Sequence, residues 1–100
     1  MEIHVHAKHV EADENKVQDL VAGVLERFAD RLTRVDVFLH DENSGKGGVD
    51  KRCVLEARPR GLDPIAAEDQ AEEAHEAVTG AVGKLERMLD HRFGRIEDQR

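Results

Sequence analysis

The sequence predicts an α+β fold, a two-layer β-α-β-β-β-α sandwich in which a four-stranded mixed sheet carries two helices on one face. Two observations lead to this prediction. Three segments alternate between apolar and polar residues, as strands with one buried face do, and a short fourth one follows them; two segments repeat apolar residues at the period of an amphipathic helix. The chain has 100 residues, enough for one core, so we expect a single domain over residues 1–96 and a short C-terminal tail at residues 97–100.

The chain is predicted to open with a strand and a helix. Ile3, Val5 and Ala7 alternate with polar residues, which predicts one buried and one solvated strand face. From Asp13 the apolar spacing changes to the helical period, with basic residues in the last turns, where the helix dipole favours them. The apolar stripe of this first helix comprises Val17, Leu20, Val21, Val24, Leu25, Phe28 and Leu32.

Three further strands are predicted after the first helix. The second and third strands alternate in the same way, and a polar, glycine-containing stretch over residues 41–50 is expected to join them as a hairpin loop. Pro59, Gly61 and Pro64 mark the next connection, and a short fourth strand is predicted over residues 65–68. The residues predicted to face the core from the second and third strands are Val35, Val37, Leu39, Cys53, Leu55 and Ala57.

The last element is a second amphipathic helix, predicted from an apolar stripe that runs from Ala71 to Phe93. Asp69 is expected to cap its N-terminus, because a carboxylate there accepts hydrogen bonds from the first unpaired N–H groups. Gly94 is expected to end it. Between its two ends the stripe comprises Ala74, Ala77, Val78, Ala81, Val82, Leu85 and Leu89.

The order of the elements predicts the sheet topology. A strand, a helix and a second strand in succession favour a right-handed parallel crossover, whereas the later strands are expected to pair as antiparallel neighbours. Because each element has one apolar side, both helices are expected on the same face of the sheet. The other face is predicted to stay solvated, with too mixed a set of residues to form an obvious binding platform. These residues are His4, His6, Asp36, Phe38, His40, Arg52, Val54 and Glu56.

Composition and charge exclude several classes of protein. The chain carries 15 basic and 22 acidic residues, a net charge of −7, which argues against a protein that coats nucleic acid through its overall field. No apolar run approaches the roughly 20 residues of a membrane span, and the first residues lack the basic and apolar segments of a signal peptide. We therefore expect a cytoplasmic protein with no membrane partner and no DNA partner, in which any nucleic-acid site is local.

No group of residues predicts catalysis or a cofactor. His4 and His6 share a strand face, but His9 has the opposite parity and no cysteine or carboxylate joins them at a metal-site spacing, so exposed strand histidines are the favoured interpretation. Cys53, the single cysteine, has the position of a core residue. The glycines within residues 45–48 precede no helix and form no phosphate-binding loop. The sequence therefore predicts neither an enzyme nor a bound metal or cofactor.

Basic residues cluster on the two helices. One stripe on the second helix comprises Lys84, Arg87, His91 and Arg95, with Arg92 at the same helix end. A narrower basic edge on the first helix comprises Lys16, Arg27 and Arg31. Gly80 and Gly83 lie beside the stripe and leave room where a bulky partner could approach the backbone. Two interpretations stay open: these cations bind RNA, or they complement the helix dipoles and pair with neighbouring carboxylates.

Several short segments, taken in their order and spacing, point to a known family. In the first half of the chain they are Val10-Glu11 after the first strand, Leu25-Glu26-Arg27-Phe28 and Asp30-Arg31-Leu32 at the end of the first helix, and Arg34-Val35-Asp36-Val37-Phe38-Leu39 in the second strand. In the second half they are Asp69-Gln70, His75-Glu76-Ala77-Val78, and Lys84-Leu85-Glu86-Arg87-Met88-Leu89-Asp90-His91. With these segments the chain resembles, nearly end to end, the short ribosome hibernation-promoting factors, also called ribosome-associated translation inhibitors, of the sigma-54 modulation protein / S30EA-like family. That family has a sandwich of one strand, one helix, three strands and a second helix, which agrees with the order predicted above.

The resemblance implies a function and a partner. It implies binding to the small ribosomal subunit in the channel that tRNA and mRNA occupy, with basic helix residues facing 16S-type ribosomal RNA, so that translation stops in resting or stressed cells. Lys84 and Arg87 match basic positions of the family's second helix, and His91 falls where another basic residue is usual. The extra domain by which the family's long forms bring two ribosomes together has no counterpart here, so we expect a separate protein partner wherever ribosomes dimerise.

A second class of function stays open beside this one. The net charge and the few cations of the first helix favour an acidic protein-interaction module on the same scaffold, which has lost RNA binding and meets a basic partner through its acidic helix starts. A generic double-stranded RNA binder is a weaker alternative, because Glu72, Glu73 and Glu76 stand where such modules usually carry lysines.

Overall fold

The computed structural model describes residues 1–42 and 50–98, the last four of these by their backbone alone. The elements, in chain order, are strand β1 (Glu2–Lys8), helix α1 (Glu14–Val24), a 3-10 helix (Glu26–Arg31), strands β2 (Leu32–Asp41), β3 (Lys51–Pro59) and β4 (Ile65–Ala71), and helix α2 (Ala74–Asp98). The predicted β-α-β-β-β-α order is confirmed. Most of the predicted hairpin loop, residues 43–49, lies outside the described residues.

The four strands form one sheet in the order β1-β2-β3-β4, so β1 and β4 are its edges. β1 pairs with β2 in parallel, with Val5 opposite Val37, and α1 makes the crossover between them. β2 and β3 are antiparallel, with Val37 opposite Leu55, and β4 continues the antiparallel pattern, with Ala67 opposite Leu55. The predicted mixed sheet is confirmed.

Both helices pack on one face of this sheet, and a single core fills the space between the two layers. The residues predicted to face the core from β2 and β3 are all buried, which confirms the alternation. Cys53 is among them, and burial raises the pKa of its thiol to about 12. The buried residues of α2 are Ala77, Val78, Ala81, Val82, Leu85, Leu89 and Phe93.

Helix α1 begins where the sequence predicts but ends earlier. The Asp13 carboxylate caps it by accepting hydrogen bonds from the backbone N–H groups of Asn15 and Lys16, at 3.1 and 3.2 Å. The α-helix stops at Val24, and residues 26–31 form a 3-10 helix in place of the predicted last turns. Apolar spacing could not reveal this change, because residues three apart lie on one side of either type of helix.

Helix α2 starts later than predicted. Asp69 is not its N-cap but lies on β4, which runs on to Ala71 instead of ending at residue 68. The first turn of the helix is closed by a hydrogen bond from the Ala77 N–H to the Glu73 carbonyl. β4 takes these residues because they continue its pairing with β3.

The C-terminal end of α2 also differs from the prediction. The helix passes through Gly94 and continues to Asp98. A glycine inside a helix costs only about 1 kcal/mol, and the neighbouring Phe93 is buried against Phe28, with ring centroids 5.6 Å apart. This packing anchors the helix at the glycine. The tail at residues 97–100 stays a prediction.

The two helices run in the same direction. β1, β2 and β4 point the same way, and each helix returns along the strand before it, so both helices start at one end of the sheet. There Asp13 of α1 and Glu73, just before α2, line one cavity of about 270 Å³. At the other end the Phe28 ring of the 3-10 helix contacts the Phe93 ring of α2. We call these two ends the N-terminal end and the C-terminal end of the helix pair.

α2 approaches β4 closely at Gly80. A Cβ atom at this position would lie 1.8 Å from Oδ2 of Asp69, so the Asp69 carboxylate occupies the space that a side chain would need. Lys84, one turn further along, lies 3.4 Å from Oδ1 of Asp69 and donates to the Glu68 carbonyl oxygen at 3.1 Å. The room predicted beside Gly80 for a partner is therefore filled by the protein's own Asp69.

β1 is less buried than predicted. Ile3 and Val5 pack against the core but stay partly exposed, and Ala7 is exposed. The reason is the position of β1, an edge strand that α1 covers only in part.

The open face of the sheet holds one enclosed charge. Asp36, predicted to be solvated, has only 7% of its side chain exposed. Arg34 donates to both carboxylate oxygens at 2.9 Å, while the His6 ring lies 3.0 Å from one of them and stacks on Phe38. The hydrogen bonds from Arg34, above all, lower the pKa of Asp36 to about 2.

Replacing Leu85 or Leu89 by alanine should destabilise the fold by about 2 to 5 kcal/mol, because each change leaves a cavity at a fully buried site. Met88, on the same helix and 42% exposed, is the matched control. Met88→Ala should change the free energy of unfolding by less than about 0.5 kcal/mol. Urea denaturation followed by circular dichroism measures all three variants. Equal losses for Leu85→Ala and Met88→Ala would contradict the assigned helix faces.

Gly80→Ala and Gly83→Ala should act in opposite directions. Alanine is the better helix former by about 1 kcal/mol, and at Gly83 its Cβ would make an ordinary contact of 3.7 Å with the Arg87 guanidinium. At Gly80 the Cβ would collide with Asp69. We therefore expect a higher melting temperature for Gly83→Ala and a lower one for Gly80→Ala. Two stabilised variants would show that Asp69 moves aside at no cost.

Asp36 should make the fold sensitive to acid. Its pKa of about 2 in the folded protein lies below the ordinary value of 3.8, so the ionised carboxylate favours the folded state above about pH 4. Between about pH 4 and pH 2 the unfolded chain takes up a proton that the folded chain does not, and this contribution is lost. Thermal melts across that range should show a weaker pH dependence for Asp36→Asn than for the parent. Identical slopes would refute the role of Asp36.

Candidate nucleic-acid interface

Three residues form an exposed basic flank along α2, on the side of the helix nearest β4. Lys84, Arg87 and His91 follow one another at three- and four-residue steps, and all three are exposed. The contacts of Lys84 with Glu68 and Asp69 show the direction in which this side of the helix faces. We call these three residues the basic flank. The structure therefore keeps this part of the predicted stripe on one surface.

Arg87 differs from Lys84 in its ion pairing within the described residues. Lys84 has its ion-pair partner in Asp69, whereas among the described residues Arg87 has none. One guanidinium nitrogen lies back along α2, 3.7 Å from the position that a Cβ of Gly83 would take. An arginine in this state can bind a phosphate without first losing a carboxylate partner.

Arg92 and Arg95 continue the series of cations along α2. Arg92 is half-buried, and the helical period turns it closer to the core side than the basic flank. Arg95 is described by its helical backbone alone, so its predicted role in RNA binding stays a prediction.

The opposite flank of α2 is acidic and faces the 3-10 helix. Arg27 donates to Asp90 at 3.0 Å, lies 3.7 Å from Glu86, and covers the Phe28 ring at 4.3 Å from its centroid. These contacts engage the guanidinium within the fold. For Arg27 the geometry favours the second interpretation, in which a helix-end cation pairs with neighbouring carboxylates.

Arg31 and Arg60 meet at the C-terminal end of the helix pair. The Arg31 guanidinium lies 4.3 Å from the centroid of the Phe93 ring, and Arg60 donates to the Asp30 carbonyl at 3.1 Å. With Leu62 these residues line a cavity of about 320 Å³. The sequence analysis overlooked Arg60. The predicted hairpin could have revealed it, because it places the end of the third strand, which Arg60 follows, beside the start of the second strand, which Arg31 precedes.

Lys16 does not belong to this group. It lies in the first turn of α1, beside Asp13 and Glu73, at the N-terminal end of the helix pair. From there α1 runs about 12 Å to its last residue, and Arg27 and Arg31 follow on the 3-10 helix. The predicted basic edge of the first helix is therefore not one surface, because that helix ends before its two arginines.

The charges of the molecule are divided along the helix axes. The N-terminal end gathers carboxylates, namely Glu11, Asp13, Glu14, Glu72, Glu73 and Glu76. The C-terminal end gathers Arg27, Arg31, Arg60, Arg87, His91 and Arg92, with Glu26, Asp30, Glu86 and Asp90 among them. The carboxylates at the first turns of both helices suit the positive ends of the helix dipoles. The net charge of −7 therefore does not describe the surface that a phosphate would meet at the C-terminal end.

The histidines near β1 are held apart by separate contacts. His4 lies 3.5 Å from Glu2, His6 lies 3.0 Å from Asp36, and His9 leaves the strand with a positive φ of 57°. In the described part of the chain no three side chains of His, Cys, Asp or Glu meet as metal ligands would. No helix over the described ranges has both the length and the hydropathy to cross a membrane.

Comparison with known proteins identifies the family. The profile described as sigma 54 modulation protein / S30EA ribosomal protein matches residues 3–97. A ribosomal subunit interface protein from Coxiella burnetii has a TM-score of 0.74 and 18% sequence identity, covering 94% of this chain and 99% of its own. The Protein Y N-terminal domain of Thermus thermophilus has a TM-score of 0.69 and 21% identity, covering 91% of this chain and 98% of its own. No curated protein matches this sequence.

These findings agree with the sequence motifs and with the fold. The two solved structures share the architecture described above over almost their full lengths. The family profile spans nearly the whole chain. This protein therefore belongs to the sigma-54 modulation protein / S30EA ribosomal protein family.

Proposed function

We propose that this protein binds the small ribosomal subunit and inhibits translation in resting or stressed cells. Membership of the family over residues 3–97 supports an association with the ribosome, and the Coxiella burnetii relative is named a ribosomal subunit interface protein. The resemblance of the second helix to hibernation factors supports a position in the channel that tRNA and mRNA occupy. In that position the protein would exclude both from an idle ribosome.

The observation that carries this proposal is Arg87, an exposed cation without an internal ion-pair partner among the described residues. Lys84 and His91 flank it on the same side of α2. Contacts from such residues to phosphate and sugar give affinity for structured RNA without reading bases. The proposed mode of binding needs no cofactor. We expect Arg87 to make the strongest contact of the basic flank, because binding RNA costs it no existing ion pair.

Further cations extend this surface at the C-terminal end of the helix pair. Arg31 and Arg60 line the cavity beside α2, and Arg92 and Arg95 lie further along the helix. Arg27 contributes less, because two carboxylates already bind its guanidinium. The proposed interface with ribosomal RNA is therefore the basic flank together with this end of the molecule.

A second candidate function is a protein-interaction module for a basic partner. The acidic N-terminal end of the helix pair supports it, since Glu11, Asp13 and Glu73 converge on one cavity of about 270 Å³. This candidate uses the end opposite the proposed RNA contact. Charge reversals at the two ends therefore distinguish the two functions.

Arg87→Glu should weaken binding to isolated small subunits by about 1 to 3 kcal/mol, the loss expected for a charge-assisted contact. Adding Lys84→Glu should weaken it further. Co-sedimentation with purified subunits, titrated with salt, measures the affinity, and the salt dependence should become shallower as phosphate contacts are lost. Both side chains are exposed, so we expect folded variants, with a lower melting temperature where Lys84→Glu removes the ion pair with Asp69.

Lys16→Glu is the matched control, because it makes the same change of charge at an exposed helix position at the other end of the molecule. It should leave the affinity for small subunits nearly unchanged. A loss as large as that of Arg87→Glu would mean that overall charge governs binding. If the parent fails to bind subunits even at low salt, the ribosome proposal is wrong and the acidic end becomes the candidate surface.

A further inference from the structure

The outer edge of β1 is open to another strand. β1 pairs with β2 on one side, so on its other side the backbone groups face away from the sheet. Among the described residues one side chain donates to the β1 backbone, that of Gln18, which reaches the Ile3 carbonyl at 3.3 Å. The strand ends where His9 takes a left-handed backbone conformation. The edge over Glu2–Lys8 is therefore open except at the Ile3 carbonyl, one of whose lone pairs already accepts from Gln18.

Apolar side chains along this edge are incompletely covered. Ile3 and Val5 of β1 pack against the core but stay partly exposed. The other edge of the sheet differs, because α2 buries the core-facing residues of β4, such as Ile65 at 4% exposure. A neighbour placed against β1 would bury an apolar strip that the fold leaves in contact with water.

The charges of β1 fit a second copy of the same strand. In an antiparallel pair centred on Val5, residues equally far from the centre face each other, so Glu2 meets Lys8 of the second copy. Both side chains are exposed, and the symmetry makes this contact twice. β4 offers no such fit, because an antiparallel pair centred on Glu68 would set two carboxylates against each other. In the register centred on the middle residue of each strand, β1 is complementary to itself and β4 is not.

We propose that two copies of this protein associate through β1, as an antiparallel pair about a two-fold axis at Val5 that joins the two four-stranded sheets. Residues opposite each other in such a pair point to the same face, so the two α1 helices lie on the same face of the joined sheet. The contact is isologous and closes on itself, so assembly stops at the dimer. The basic flank lies at the opposite edge, beside β4, and the two proposals can fail independently.

Sedimentation velocity tests the dimer. The parent should show a monomer–dimer equilibrium between about 1 µM and 1 mM, because a seam of one short strand is smaller than a standard interface. Glu2→Lys and Lys8→Glu, each alone, turn both cross-strand attractions into repulsions and should raise the dissociation constant by roughly tenfold or more. An equimolar mixture of these two variants restores opposite charges at both contacts and should dimerise like the parent. The double variant should do so on its own.

The controls separate this seam from other surfaces. Asp63→Lys reverses an exposed charge in the connection between β3 and β4, away from β1 and α1, and should dimerise like the parent. A parent that stays monomeric up to about 1 mM overturns the proposal. Single variants that dimerise like the parent also overturn it, because the dimer would then use another face. An equimolar mixture of the two single variants that stays monomeric overturns it as well. Melting curves report whether each variant is folded, and the double variant preserves the test if a single variant unfolds.

Discussion

Both helices pack on one face of the sheet and run in the same direction, and the distribution of charge depends on this arrangement. The strand directions impose it, since β1, β2 and β4 point the same way and each helix returns along the strand before it. Two helix N-termini at one end attract carboxylates, while the arginines of the 3-10 helix, of the residue after β3 and of α2 gather at the other. An acidic chain thereby acquires a cationic end without an excess of basic residues. The position of the charges, more than their sum, decides which end suits an anionic partner.

The close packing of α2 against β4 determines how one of the basic residues is paired. Gly80 lets the helix approach until Asp69 fills the place of its missing side chain, and Asp69 in turn binds Lys84. Lys84 is consequently a structural residue as well as a member of the basic flank, and a phosphate would have to compete with Asp69 for its ammonium group. Arg87, one turn away, has no such ion pair among the described residues. Two cations that are equivalent in sequence spacing therefore differ in their availability to a ligand.

Much of this fold could be predicted because each strand and each helix carries its own period. What could not be predicted depends on contacts between distant parts of the chain. The 3-10 helix preserves the three-residue apolar spacing of α1, so Arg27 and Arg31 were assigned to the wrong element. Asp69 has the chemistry of a helix cap, but pairing with Cys53 keeps it in β4. For the candidate site, helical spacing predicted the exposed basic flank, whereas the carboxylates that neutralise Arg27 could be assigned to it only from the structure. The part that each cation plays in RNA binding stays a prediction.

The sheet is covered on one face only, so the fold demands apolar residues at alternate strand positions and along one stripe of each helix. Most of the other positions face water, where substitutions usually change stability by less than about 0.5 kcal/mol. Solved structures with 18% and 21% identity to this chain share its architecture, as a one-sided core permits. Evolution can therefore rearrange the surface charges of such a domain without disturbing its framework. Relatives that superpose closely can diverge in what they bind and how tightly.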